Sequence, residues 1–219
     1  MTCQSIALRL VPTLIAASLA LLPAGPARAA DDTTQTRPLA SFDRVRLDGA
    51  FKTEIVAGGA RSQIVIRGER DIVTRVTTGI ESGTLVVGMR HSDGIFNSFP
   101  KLVITLPALR GFANDGAGTV KISGLTGGDV DIANAGAGAI TVAGRAANMK
   151  ITLDGTGKID TTAVDAHDVR VDNNGLGGVY VRANGSLTMN VNGVGEIRYA
   201  GNPTHVESHV EGIGRTGRL

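Results

Sequence analysis

A Gly-x-Gly step returns six times in the second half of the chain. It reads Gly116-Ala117-Gly118, Gly136-Ala137-Gly138, Gly155-Thr156-Gly157, Gly175-Leu176-Gly177, Gly193-Val194-Gly195 and Gly212-Ile213-Gly214, at intervals of 20, 19, 20, 18 and 19 residues. A period near 20 marks a solenoid, whose repeats bury their apolar side only by stacking on one another. Four residues before each pair stand Phe112, Ile132, Ile151, Val171 and Met189, and four after its first glycine stand Val120, Ile140, Ile159, Val179 and Ile197. Ser208 and Thr216 break these columns in the last copy. Alternation at period two within a repeat, and near 20 between repeats, describes a parallel β-helix. Both columns are expected to face inward, and the residue between the glycines (Ala117, Ala137, Thr156, Leu176, Val194, Ile213) is assigned inward with them. A tight corner once per coil explains the glycines. A phosphate-cradling loop would need a following helix N-terminus or a lysine-bearing motif, and neither is visible.

Upstream the same alternation is present without the glycine pairs. Val45 and Leu47, Ile55, Ile64 and Ile66, Leu85 and Val87, and Leu102, Ile104 and Leu106 lie at spacings of two along short runs separated by Gly-containing turns. This is strand and turn chemistry, with no helix beyond a turn near Asp71–Arg75. The one sizeable loop, His91 to Pro100, carries Phe96 and Phe99. The fold class expected is therefore all-β, a right-handed parallel β-helix (β-solenoid) of about 19–20 residues per coil with a less regular N-terminal part, forming one domain over residues 41–219.

Residues 31–38 contain no apolar member, and residues 30–40 read as a disordered, solvated leader. Residues 1–29 read as a signal peptide: Arg9 is followed by an apolar stretch from Val11 to Ala24, then by Ala27-Arg28-Ala29, so cleavage falls before Ala30. The apolar run is short of the roughly 20 residues that span a bilayer. Pro12 and Pro23 interrupt it, so no membrane span is expected in the mature chain. Cys3, the single cysteine, departs with the signal, leaving no disulfide, thiolate metal site or cysteine nucleophile. Removing Arg9 and Arg28 leaves 20 basic against 20 acidic residues, and dispersed charge of zero net sign argues against nucleic acid or anionic lipid as partner.

Two outward files are candidate sites. The residue after each later apolar column is Lys121, Thr141, Asp160, Tyr180 and Arg198, a surface ladder available to a partner. The residue before each glycine pair gives an acidic and amide edge of Asp115, Asp154, Asn174, Asn192 and Glu211, broken by Ala135. Oxygen ligands in file could hold Ca²⁺, but that ion wants six to eight oxygens, and Asp and Asn are also ordinary turn residues before Gly. Turn chemistry is the reading adopted, with no metal and no cofactor. Asn114, Asn134 and Asn173 alternate inward, where stacked amides can bond along the coil axis. His205 and His209 share a strand face but lie about 13 Å apart, too far for one metal ion. Asn184-Gly185-Ser186 matches a glycosylation sequon and is taken as coincidence.

The repeats and the run Gly195-Glu196-Ile197-Arg198-Tyr199-Ala200-Gly201-Asn202-Pro203 resemble a bacterial envelope family, the auto-transporter adhesin head GIN domain. The opening Phe42-Asp43-Arg44-Val45 fits the same pattern. The resemblance implies a right-handed parallel β-helix in the cell envelope, with adhesion in the family name and no catalytic residues attached. No segment is left for the outer-membrane barrel that an auto-transporter carries. The function expected is a non-catalytic exported envelope module, binding, adhesion-like or structural. It would sit in the periplasm or on the outer surface of a Gram-negative bacterium, with an envelope or extracellular glycan or protein as partner and self-association through coil edges or the Phe96–Phe99 loop as a further class. The rival is a polysaccharide-active, lyase-like enzyme. The acids it would need (Asp129, Asp131, Asp168 and others) are numerous, but their spacing gathers no cluster.

Overall fold

In the computed structural model, residues 32–90 and 99–219 are described. The expected signal peptide and Phe96 lie outside them. The strands are β1 (Asp32–Pro38), β2 (Arg44–Asp48), β3 (Ala50–Ala57), β4 (Gln63–Glu69), β5 (Val76–Glu81), β6 (Thr84–Met89), β7 (Lys101–Leu106), β8 (Gly111–Asn114), β9 (Ala117–Thr126), β10 (Asp129–Asn134), β11 (Ala137–Leu153), β12 (Thr156–Asn173), β13 (Leu176–Arg182), β14 (Ser186–Val191), β15 (Val194–Ala200), β16 (His205–Val210) and β17 (Ile213–Arg218). One helical turn, α1 (Arg70–Val73), falls where the sequence placed it.

From β8 onward the chain is a parallel β-solenoid, in which each coil contributes one strand before the glycine corner and one after it. On the first wall β8, β10, the second half of β11, the second half of β12, β14 and β16 pair in parallel. On the second wall β9 and the first halves of β11 and β12 are followed by β13, β15 and β17. Register follows the glycines: Gly118, Gly138, Gly157, Gly177, Gly195 and Gly214 stand one above another. Register shifts near Thr141–Gly144 absorb the one-residue differences between coils. The lumen is filled by the two expected columns, and Ile132, Ile151, Val171, Ile140, Ile159 and Val179 are all buried.

The N-terminal part is wound differently. The β2–β3 coil sits between β6–β7 on one side and β8–β9 on the other, all in parallel. The chain thus makes this coil first and builds both of its neighbours later. Beyond β6–β7 it reverses, with β4 antiparallel to β7 and β5 antiparallel to β6. α1 joins these two strands and buries Ile72 and Val73.

Residues 32–38 correct the expectation of a disordered leader. They form β1, antiparallel to β4 over its whole length. Arg37 anchors it, donating to the Val76 carbonyl (3.0 Å) and to Thr78 Oγ1 (3.0 Å). An outermost strand needs backbone pairing more than apolar side chains, so polarity alone did not exclude it.

Candidate functional site

The glycine corner organises the surface. Alternation runs inward at Asn114, Gly116, Gly118 and Val120, and outward at Asp115, Ala117 and Thr119. The glycines themselves therefore occupy the inward positions, where one coil rests directly on the next. A Cβ on Gly136 would overlap the carbonyl oxygen of Gly116, and one on Gly155 that of Gly136. Gly177 adds a backbone requirement, with φ of +141°.

This corrects the assignment of the residue between the glycines. It stands an odd number of positions from both apolar columns, so period two sends it to solvent. Leu176 is 53% exposed, Val194 45% and Ile213 77%, and they lie in register as an aliphatic ridge.

Beside the ridge runs the acidic and amide edge. Asn174 Nδ2 donates to Asp154 Oδ1 (2.7 Å), and Asn192 Nδ2 donates to Asn174 Oδ1 (2.8 Å). Asp115 accepts from Arg46 Nε (2.6 Å), and Glu211 pairs with His209 Nε2 (2.9 Å). Asp115, Asp154 and Asn174 thus accept from neighbouring coils, whereas Glu211 is paired within its own coil. Among the described residues no group of three or more His, Cys, Asp or Glu is placed to hold a metal ion.

On the other side of the ridge, Lys121, Thr141, Asp160, Tyr180 and Arg198 fall in one register line. Lys121 and Thr141 are open to solvent, whereas the last three are locked into a network. Lys158 Nζ lies 2.9 Å from Asp160 Oδ2 and 4.4 Å from the centre of the Tyr180 ring. The Tyr180 hydroxyl donates to Glu196 Oε1 (2.7 Å), and Arg198 and Arg215 reach Glu196 Oε2 at 3.2 and 3.1 Å. The Tyr180 hydrogen bond, then the two guanidinium groups, hold the Glu196 carboxyl down at about 2, and the same bond raises the Tyr180 hydroxyl. Partial burial works against the Asp160 carboxylate, but the Thr162 and Lys158 hydrogen bonds outweigh it and lower its pKa. The Tyr180 ring lies against Gly178, at a place where a Cβ would stand 2.8 Å from a ring carbon.

A third grouping went unread in the sequence. Ser186 donates through its hydroxyl (2.6 Å) and its amide (2.7 Å) to Asp168 Oδ1, while His167 Nδ1 lies 3.1 Å from Asp168 Oδ2. These are the residue types of a nucleophile triad in the wrong order. The carboxylate stands between serine and histidine, whereas a base must itself reach the nucleophile. The Ser186 bonds, then His167, hold Asp168 at about 2, so it acts as a fixed anion that ties two coils together. The sequon is engaged in the same way, since Asn184 Nδ2 donates to Asp165 Oδ1 (2.7 Å).

Inside the lumen Asn114 Nδ2 donates to Asn134 Oδ1 (2.7 Å), the expected amide stack. Leu153 follows Asn134 in register and interrupts the stack, so Asn173 turns instead to the Gly177 carbonyl (3.2 Å).

The sequence also concealed one coil. Asp48-Gly49-Ala50 lies against Asp115-Gly116-Ala117, with Leu47 on Asn114 and Ala50 on Ala117. The tripeptide match was a usable signal, but Phe51 stands where the second glycine would be.

A family model described as "Putative auto-transporter adhesin, head GIN domain" matches residues 41–203. Among solved structures, the chain is similar to a putative adhesin of Bacteroides fragilis NCTC 9343. The identity is 20% and the TM-score 0.69, over 87% of this chain and 98% of that one. An adhesin of the same description from Parabacteroides merdae ATCC 43184 gives 15% identity and a TM-score of 0.52, over 86% and 96%. A protein described as lipid binding, from Parabacteroides distasonis ATCC 8503, gives 16% and 0.51 over the same shares. No curated protein matches the chain.

Proposed function

The chain belongs to the head GIN domain family of adhesin type, and on that premise we propose that it is an exported, non-catalytic binding module of the bacterial envelope. The binding wall is the glycine corner of the C-terminal coils. The observation that carries this reading is the aliphatic ridge of Leu176, Val194 and Ile213, aligned and exposed in one file between two polar ladders. Exposed aliphatic groups in contiguous file mark a contact surface. The flanking ladders are already hydrogen-bonded, so they offer a rigid polar rim that loses little entropy on binding.

A protein surface fits this wall better than a glycan. Sugar recognition favours an open aromatic face, and the ring of Tyr180 is engaged by Lys158 and Gly178. The Ser186–Asp168–His167 grouping offers no activated nucleophile, since the carboxylate stands between serine and histidine. The test is binding of the exported protein to a panel of immobilised extracellular proteins and glycans, compared with Val194→Lys. Retention of a protein ligand, weakened about tenfold or more by the substitution, is expected. New chain ends appearing in any glycan, and lost with Asp168→Asn, would replace the reading with an enzymatic one.

A further inference from the structure

Among the described residues, β16 pairs only with β14 and β17 only with β15. Among the described residues, the outer backbone groups of these two strands have no strand partner, the Arg218 carbonyl accepting instead from Arg198 Nη1 (3.2 Å), and the lumen is open beside them. Its inward positions are Val206, Ser208 and Val210 on one wall, and Thr216 and Arg218 on the other. Val206 and Val210 are 41% and 42% exposed, where Leu187 and Val191, one coil earlier, are fully buried. The Ser208 and Thr216 hydroxyls meet across the lumen at 2.6 Å.

The sequence of this coil is self-complementary about that pair. β16 with its following residue reads His205-Val206-Glu207-Ser208-His209-Val210-Glu211. Reversed about Ser208, it sets Val206 on Val210, Glu207 on His209 and His205 on Glu211. β17 with its following residue reads Ile213-Gly214-Arg215-Thr216-Gly217-Arg218-Leu219. Reversed about Thr216, it sets Ile213 on Leu219, the two most exposed large aliphatics in the coil, and Arg218 on the small Gly214. Because Ser208 and Thr216 touch, one axis through both generates the two sets of pairs together.

We propose that the C-terminal coil is a two-fold docking surface for a second copy of this chain. β16 pairs antiparallel with β16 of the second copy, and β17 with its counterpart, about the Ser208–Thr216 axis. Antiparallel pairing keeps facing side chains on the same side of the sheet, so the valines stay in the lumen and the Glu–His pairs stay outside. An isologous contact of this kind closes at two copies and removes the open edge. The four hydroxyls at the axis satisfy one another, as buried polar groups must.

The test uses the chain exported with its own N-terminal segment and purified at a range of concentrations. Sedimentation should give a monomer–dimer equilibrium. Glu207→Lys, an exposed substitution, should weaken it about tenfold or more by placing Lys against His209, and adding His209→Glu should restore it. Ser208→Cys should form a disulfide-linked dimer under mild oxidation, because facing antiparallel residues lie within disulfide reach. Thr119→Cys, on the side wall, should not. A protein monomeric throughout the range would overturn the proposal. So would a dimer indifferent to Glu207→Lys, or open-ended polymers, which require head-to-tail stacking.

Discussion

At the N-terminal end the lumen is closed by strands that turn back on it. β4 and β5 run against β7 and β6, α1 packs on β4 and β1 with Ile72 and Val73 buried, and β1 covers the outer edge of β4. At the other end β16 and β17 keep the parallel winding, and polar Ser208 and Thr216 replace Met189 and Ile197 of the previous coil. The contrast teaches that a coil can either refuse a further strand or leave room for one. Reversing direction breaks the template for further parallel addition, whereas a bare coil preserves it. The cost of the first solution is irregularity, and that of the second is surface that another molecule can use.

The largest break in this contrast is expected at the second glycine of each pair, a file that gives way to Phe51 on the β2–β3 coil. Gly157 has φ of +141°, and a Cβ there would overlap the Gly138 carbonyl. Gly157→Ala should cost about 2–6 kcal/mol, from overpacking and backbone strain together. Gly79→Ala, in the cap strand β5, has nothing within 4 Å of its Cβ and should change little; urea unfolding compares the two. Next comes core truncation. Ile104→Ala, fully buried on β7 beside the reversed β4, should cost about 2–5 kcal/mol, against about 0.5 or less for Val206→Ala at the open end when the chain is monomeric.

A smaller effect separates two buried amides. Asn114→Ala removes the partner of Asn134 and should cost about 1–3 kcal/mol, whereas Asn173→Leu, in the column where Leu153 is already accepted, should be close to neutral. Thermal melts of the two variants check this. Acid should act last and locally. Glu196 and Asp168 are held at about 2, below their ordinary 4.5 and 3.8. Their stabilisation is complete above those ordinary values and is lost as pH falls towards 2. Hydrogen exchange should therefore loosen β12 to β15 on acidification before the cap, and Glu196→Gln with Asp168→Asn should flatten that response.

How much of this was legible depends on parity and direction. The inward columns were readable because apolar residues at even offsets from one another share a face. The residue between the glycines was misplaced by ignoring that rule, so the ridge of Leu176, Val194 and Ile213 was read as core. Period two carries no sign of strand direction, so nothing in Ile64 and Ile66 announced that β4 runs antiparallel. β1 was invisible because an edge strand of Thr, Gln and Arg is held by backbone bonds that leave no apolar trace. The outward ladder came through as a register line. Its locking by Lys158 and Glu196 did not, since those contacts cross from one ladder to the next.

The insertion of β2–β3 between coils made later sets an order of events. From β10 onward each coil can be laid on a finished one, and closure involves about 20 residues at a time. The β2–β3 coil has no such support when it is first made. Its neighbour on one wall, β9, ends at Thr126, so the chain must deliver residues 44 to 126 before that coil is enclosed. Long-range closure of this kind is slow. A nascent domain of this design would stay pliable until its first half is complete, and would then harden from the middle towards its C-terminal end.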